Sequence, residues 1–183
     1  MTREEQAKRL LVAIENRDER SAIGLIECGA NVNSLDRNGW SCLMLATIYK
    51  QNDVIKKLIE HGADVDYQDK NGATCLMKAV SGGNLEAAFM LLEANADVDA
   101  KDKDGWTALM KASFLDDERF VSMLVKKGAD VRAKDDYGNS VMNLTTEKDV
   151  KIIILTKIKE EKREQLKSNK VNVLDIFKGM FVR

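Results

Sequence analysis

Residues 102–112 read Asp-Lys-Asp-Gly-Trp-Thr-Ala-Leu-Met-Lys-Ala, and steps of 33 residues in either direction meet the phrase again. Residues 69–79 are Asp-Lys-Asn-Gly-Ala-Thr-Cys-Leu-Met-Lys-Ala, and residues 36–46 are Asp-Arg-Asn-Gly-Trp-Ser-Cys-Leu-Met-Leu-Ala. In the other direction, residues 135–142 are Asp-Asp-Tyr-Gly-Asn-Ser-Val-Met. A fixed period of this length marks a stack of like units, each covering an apolar face that its neighbour cannot bury alone.

Each copy states its local structure. Gly39, Gly72, Gly105 and Gly138 end a polar turn that wants φ > 0. Ser41, Thr74, Thr107 and Ser140 follow at the N-cap position, where a hydroxyl satisfies an orphan backbone N–H. Leu43/Ala46, Leu76/Ala79 and Leu109/Ala112 share one helical face, and the alanine permits close helix approach. A polar break follows: Gln51-Asn52-Asp53, Gly82-Gly83-Asn84 and Asp116-Asp117. It caps a second helix carrying Val54, Leu58 and Ile59, then Leu91 and Leu92, then Phe120, Val121, Leu124 and Val125. That helix stops at Gly29, Gly62, Asn95 and Gly128, and asparagine is the usual stand-in for glycine in a left-handed C-terminal cap.

The pattern resembles the ankyrin repeat, with its 33-residue period and Thr-Pro-Leu-His-x-Ala signature. The matching residues are Ser41-Cys-Leu-Met-Leu-Ala46, Thr74-Cys-Leu-Met-Lys-Ala79 and Thr107-Ala-Leu-Met-Lys-Ala112, with Gly-Ala-(Asp/Asn)-Val closing the copies. The resemblance implies an all-α solenoid of helix-turn-helix units with short hairpin or loop fingers. Two departures stand out: Cys42, Cys75 or Ala108 replaces the signature proline, and Met44, Met77 or Met110 replaces the histidine. In the family that histidine links adjacent turns by hydrogen bonds, so methionine must substitute packing, and softer finger tips are expected.

The copies divide the chain into an N-terminal cap at 1–35, repeats at 36–68, 69–101 and 102–134, and a C-terminal cap at 135–158. The first cap opens on a charged helix with Leu10, Leu11 and Ile14 inward and Arg3, Glu4, Lys8 and Arg9 outward, suiting the end of a stack. The last unit aligns only with about three residues deleted relative to its siblings. Residues 159–183 form a charged helical extension, a break at Ser168-Asn169-Lys170, and an apolar segment with Val171, Leu174, Phe177 and Phe181 at helical spacing. Folding back over the last repeat is the structural role for that segment; partner binding or self-association is the functional one, in an otherwise monomeric protein.

The totals exclude several chemistries. A formal charge of −1 and basic residues without a continuous run argue against nucleic acid and anionic membrane as partners. No apolar run approaches a membrane span and the N-terminus lacks a signal-peptide core, so a cytoplasmic location is expected. The three cysteines form no Cys-x-x-Cys spacing, and Cys42 and Cys75 recur at equivalent points as packing residues. His61, the one histidine, stands beside a cap glycine. Catalytic residues, metal ligands and a cofactor site therefore have no candidates, and an enzyme is not expected.

What remains is surface. In ankyrin-like stacks the fingers and the first helices line one concave face that binds protein. After the turn glycine come Trp40, Ala73, Trp106 and Asn139; past the small alanine come Ile48 and Tyr49, Ser81 and Gly82, Phe114 and Leu115. With Tyr137 these predict a relief that is bulky, notched and bulky, with Ala73, Ser81 and Gly82 flooring the notch. Aromatic anchors dominate interface energies, so the sequence points to a scaffold or adaptor that holds a partner protein there. The alternatives are an inhibitor or immunity-type protein occluding an enzyme's active site and, for Trp40 and Trp106, mere stacking on neighbouring fingers. The rim of Arg37, Lys70, Lys101, Lys103 and Lys134, offset by Asp104 and Asp136, favours an acidic to neutral partner.

Overall fold

The computed structural model describes the backbone of residues 2–180 and the side chains of residues 2–167. Among the described residues ten helices follow in antiparallel pairs: α1 (Arg3–Glu15) with α2 (Glu19–Glu27), α3 (Cys42–Ile48) with α4 (Asn52–Glu60), and α5 (Cys75–Ser81) with α6 (Leu85–Glu93). The series continues with α7 (Ala108–Phe114) and α8 (Glu118–Lys126), then α9 (Val141–Leu144) and α10 (Lys148–Met180). Odd-numbered helices pack on one another in an inner row and even-numbered helices in an outer row. Fingers connect one pair to the next. Among the described residues they hold only isolated bridges, Leu35 with Ser41 and Lys134 with Ser140, and no extended strand.

The repeated positions fill the space between the rows. Leu43, Leu76 and Leu109 are fully buried, as are Ala46, Ala79 and Ala112 beside them and Leu58, Leu91 and Leu124 on the outer helices. Each such leucine contributes about 2–3 kcal/mol relative to an exposed one. Ser41, Thr74 and Thr107 accept the N–H of Met44, Met77 and Met110 at 3.2, 3.3 and 3.2 Å, so the inner helices start where the hydroxyls stand. Ser140 occupies the same position with its bonding reversed: its Oγ donates to Asn143 Oδ1 at 2.7 Å.

The break between inner and outer helix has a geometry that the sequence pattern only hinted at. Arg17, Lys50, Gly83 and Asp116 recur every 33 residues and all sit in the left-handed region, at φ 58, 59, 66 and 53°. Only one is glycine. The conformation is strained for the others by roughly 1 kcal/mol or more each, and the bend fixes it while leaving the side chain free to vary.

Met44, Met77 and Met110 are buried, so packing does take the place of the family's polar link. Neighbouring fingers are joined through their backbones: Lys103 N–H donates to Asn71 O at 3.0 Å and Asp136 N–H to Asp104 O at 3.1 Å. That approach needs glycine, because a Cβ on Gly105 would lie 2.6 Å from Asp136 Oδ1 and 2.8 Å from Asp136 N.

The termini differ. The α1 helix has a reciprocal cap, Glu5 N–H to Thr2 Oγ1 at 3.2 Å and Thr2 N–H to Glu5 Oε2 at 3.0 Å. Leu10, Leu11 and Ile14 point inward, with Arg3, Glu4, Lys8 and Arg9 exposed. At the other end α10 runs unbroken from Lys148 to Met180, about 50 Å, and the break expected at Ser168-Asn169-Lys170 is absent. Those residues include neither proline nor glycine, and each costs a helix only tenths of a kcal/mol, about 0.7 at most. Val150 and Ile154 bury the first turns of α10, and Arg132 pairs with Glu161 at 3.4 Å. The side chains of Val171, Leu174, Phe177 and Phe181, expected to cover the last unit, lie outside the described residues.

Candidate interaction face

The inner row and its fingers bring most of the predicted residues to one side, in three different states. In the 36–68 copy, Trp40, Ile48 and Tyr49 are half-buried. The Lys78 ammonium lies 5.5 Å from the Trp40 ring centroid and 2.8 Å from Asp69 Oδ2; the Arg17 guanidinium lies 5.4 Å from the Tyr49 ring. In the 69–101 copy, Ala73 is buried while Ser81 and Gly82 are exposed, so the notch is small-sided but not floored by Ala73. In the 102–134 copy, Trp106 is half-buried under Lys111 at 5.4 Å, with Phe114 edge-on to it at 5.6 Å. Phe114 is 61% exposed and Leu115 49%, and Tyr137, on the following finger, is 80% exposed.

The fingers hold the tryptophans by one device. Asp36, Asp69, Asp102 and Asp135 each accept the backbone N–H four residues on, from Trp40, Ala73, Trp106 and Asn139, at 2.7, 3.0, 2.9 and 2.8 Å. Burial pushes the Asp69 carboxyl up, yet the Lys78 ammonium and the N–H groups of Asn71 and Ala73 outweigh it, leaving Asp69 below its ordinary range. Lys111 pairs with Asp102 Oδ2 at 2.7 Å in the same way. Cation–π contacts of this kind are worth about 0.5–2 kcal/mol. Each lysine lies over one indole ring, and both rings are partly buried against the core.

Three features escaped the sequence reading. Lys78 and Lys111 were not singled out, because their role depends on which ring lies beneath them. Phe89, on α6, is 52% exposed on the outer row between two shallow grooves, one lined by Ile59, Met90 and Ala94 and the other by Ser122 and Met123. Its counterparts 33 residues away are Lys56 and Ser122, so comparing outer helices copy by copy would have exposed it. The third is Asp116. Its carboxylate accepts from Thr145 Oγ1 at 2.5 Å, Thr146 Oγ1 at 2.8 Å, Thr146 N–H at 3.1 Å and Glu147 N–H at 3.3 Å. Those hydroxyls and N–H groups hold the carboxyl below its ordinary range and tie the start of α10 to the preceding bend.

Two registers of evidence now coincide, paired helices in two rows and a 33-residue phrase. The family model for ankyrin repeats matches residues 10–102, in three copies, and residues 104–136. The chain belongs to the ankyrin repeat family. No curated protein sequence matches it. Ankyrin repeats are general protein–protein interaction modules, typically without catalysis of their own. Reactive groups are correspondingly quiet: burial pushes the Cys42 and Cys75 thiols up to about 12, and His61 is exposed with Nδ1 2.9 Å from Lys57 O. Among the described residues no cluster of His, Cys, Asp or Glu is arranged to hold a metal ion, and no helix is long and apolar enough to cross a membrane.

Proposed function

We propose that this ankyrin-repeat chain is a non-catalytic scaffold or adaptor that binds one partner protein on its inner-helix face, centred on the 102–134 copy. The observation that carries this reading is the adjacent pair Phe114 and Leu115, 61% and 49% exposed beside the half-buried Trp106. The scaffold does not need them: the equivalent residues of the preceding copy are Ser81 and Gly82, and the inner helices stack equally well there. Large exposed apolar groups grouped in this way are where partners anchor. Trp40, Ile48, Tyr49 and Tyr137 extend the same face.

The test is affinity capture from the native cell with wild type beside a Phe114→Ser/Leu115→Ser variant. Both residues are exposed, so the variant keeps its fold, checked by its melting curve. A captured protein present with wild type and depleted about tenfold or more with the variant supports the reading. Equal capture by both sinks it. If the captured partner is an enzyme silenced by one equivalent of this chain, the protein is an occluding inhibitor; unchanged partner activity marks a scaffold.

A further inference from the structure

The two ends of the stack close differently. On α1 the outer face mixes signs, Arg3, Lys8 and Arg9 with Glu4, Glu5 and Glu15, and Lys8 pairs with Glu4 at 2.7 Å. That is the polar face an end unit needs. On α10 one side is packed: Val150 and Ile154 are buried, Ile158 rests on the core, and Glu161 takes Arg132 at 3.4 Å. The other side carries Ile152, Leu155 and Leu166, 58, 43 and 56% exposed. Lys148, Lys159 and Lys162 complete that line at alternate steps of four and three residues, with Arg163 beside it, all exposed. Such steps keep to one face of a helix. Among the described residues no carboxylate stands on the line. Asp149, Glu160 and Glu164 each follow one of its cations by a single residue, which turns them about 100° round the helix onto one flank. Glu147 precedes the helix at the Asp116 bend. In the sequence the series goes on at the same steps with Lys170, Val173 and Phe177. The total of −1, which argued against an anionic membrane, averages over the chain and hides this one-sided stripe.

We infer that this side of α10 lies on the surface of an anionic lipid bilayer, independently of the inner face that binds protein. Clusters of four or more lysines and arginines on an amphipathic helix are drawn to anionic headgroups, and their stems lie along apolar surface while the charge stays at headgroup level. Ile152, Leu155 and Leu166 then enter the boundary between headgroups and acyl chains, as on helices that lie in the interface plane. The line is straight and about 27 Å long from Lys148 to Leu166, and it involves no groove, which suits a flat surface better than a folded protein. A second copy of the chain fits poorly. Pairing two such lines, parallel or antiparallel, sets Lys159 and Lys162 against cations, and like charges facing each other are repelled. A nucleic acid would meet the cations but leave the three apolar side chains without a partner, and no aromatic ring is there for bases to stack on among the described residues of α10.

The test is cosedimentation of the full chain with sucrose-loaded vesicles of phosphatidylcholine, alone or mixed with phosphatidylserine. Wild type is compared with Lys159→Glu/Lys162→Glu, with Ile152→Ser/Leu155→Ser and, as a control on the fingers, with Lys70→Glu/Lys103→Glu. All six side chains are exposed, so each variant keeps its fold, checked by its melting curve. Expected is binding to the mixed vesicles and not to phosphatidylcholine alone, weaker in high salt. Lys159→Glu/Lys162→Glu should weaken it roughly tenfold or more and Ile152→Ser/Leu155→Ser severalfold, while the finger control binds as wild type does. Absence of binding to the mixed vesicles, equal binding to both kinds, or equal loss in the finger control overturns the inference. Capture of polyglutamate without capture of vesicles assigns the stripe to an acidic protein and overturns it too. So does a dimer in sedimentation velocity that Ile152→Ser/Leu155→Ser abolishes, in a chain that ignores vesicles. None of these variants touches Phe114 or Leu115, so the protein-binding reading stands or falls by its own test.

Discussion

The 36–68 and 102–134 copies carry the same surplus, a tryptophan after the turn glycine and two large apolar residues at the end of the inner helix, yet the structure treats them differently. Tyr49 lies under Arg17, while Leu115 is 49% exposed. The reason is one bend upstream. Arg17 reaches the residue 32 positions ahead of it, and the bend residue that holds this relation to Leu115 is Gly83, which has nothing to reach with. The tryptophans diverge similarly. Lys111 covers Trp106 from its own helix, but its counterpart in the first copy is the buried Leu45, so Trp40 takes Lys78 from the next one. In a solenoid the exposure of a residue is therefore set by its neighbour's copy as much as by its own.

The comparison breaks most sharply at the finger glycines. A Cβ on Gly105 would sit 2.6 Å from Asp136 Oδ1 and 2.8 Å from Asp136 N, whereas one on Gly39 would meet only the Lys70 side chain, at 3.2 Å. Backbone cannot move aside as a lysine can. Gly105→Ala is expected to cost about 3 kcal/mol, the left-handed strain plus a clash that parts two fingers, and Gly39→Ala about 1 kcal/mol. Urea unfolding of the two variants measures the difference, and equal midpoints would show that the fingers are not interlocked.

Next in size is the bend residue itself. Gly83→Arg restores in the middle of the stack what Arg17 does at its start. Arg17, Lys50 and Asp116 already hold this conformation at φ 58, 59 and 53°, and a Cβ on Gly83 meets nothing within 4 Å. The fold should lose about 1 kcal/mol or somewhat more, while the new side chain lies over Leu115 and weakens binding of a partner captured on the inner-helix face roughly fivefold, about 1 kcal/mol. Titration with that captured partner reads it. Undiminished affinity would mean that Leu115 is not part of the anchor.

How much of this was legible beforehand follows the same division. Anything repeated was readable: the N-cap hydroxyls, the cap at Asn95 and the buried leucines recur at fixed spacing, so one copy checks another. What depends on contact between copies was not. Lys78 and Lys111 are the same residue at the same repeat position, and only the structure shows them over different tryptophans. The left-handed bend was hidden because Arg17, Lys50, Gly83 and Asp116 share a conformation and no chemistry. Ser168-Asn169-Lys170 misled for the opposite reason, since polar residues that punctuate the repeats sit in α10 with no neighbour to demand a turn.

The smallest expected effect concerns the bend that follows the exposed copy. Asp116 alone among the four bend residues is an anion, and it holds Thr145, Thr146 and Glu147 at the entry to α10. The Thr145 and Thr146 hydroxyls keep its carboxyl below the ordinary range, so the sign is fixed. Its stabilisation is fully present above the ordinary carboxylate pKa, near about 4, and is lost as the pH falls through the lowered folded value. Asp69, Asp117 and Asp135 are lowered too, so acid weakens the whole stack and the wild-type curve cannot isolate one group. Asp116→Asn can. The variant should be less stable than wild type at pH 7 and converge on it toward pH 3, with amide exchange faster in the first turn of α10 at the higher pH. Lys50→Asn, at the equivalent bend of the first copy, should show no such convergence. A gap between Asp116→Asn and wild type that persists unchanged into acid would assign the contact to packing and not to charge.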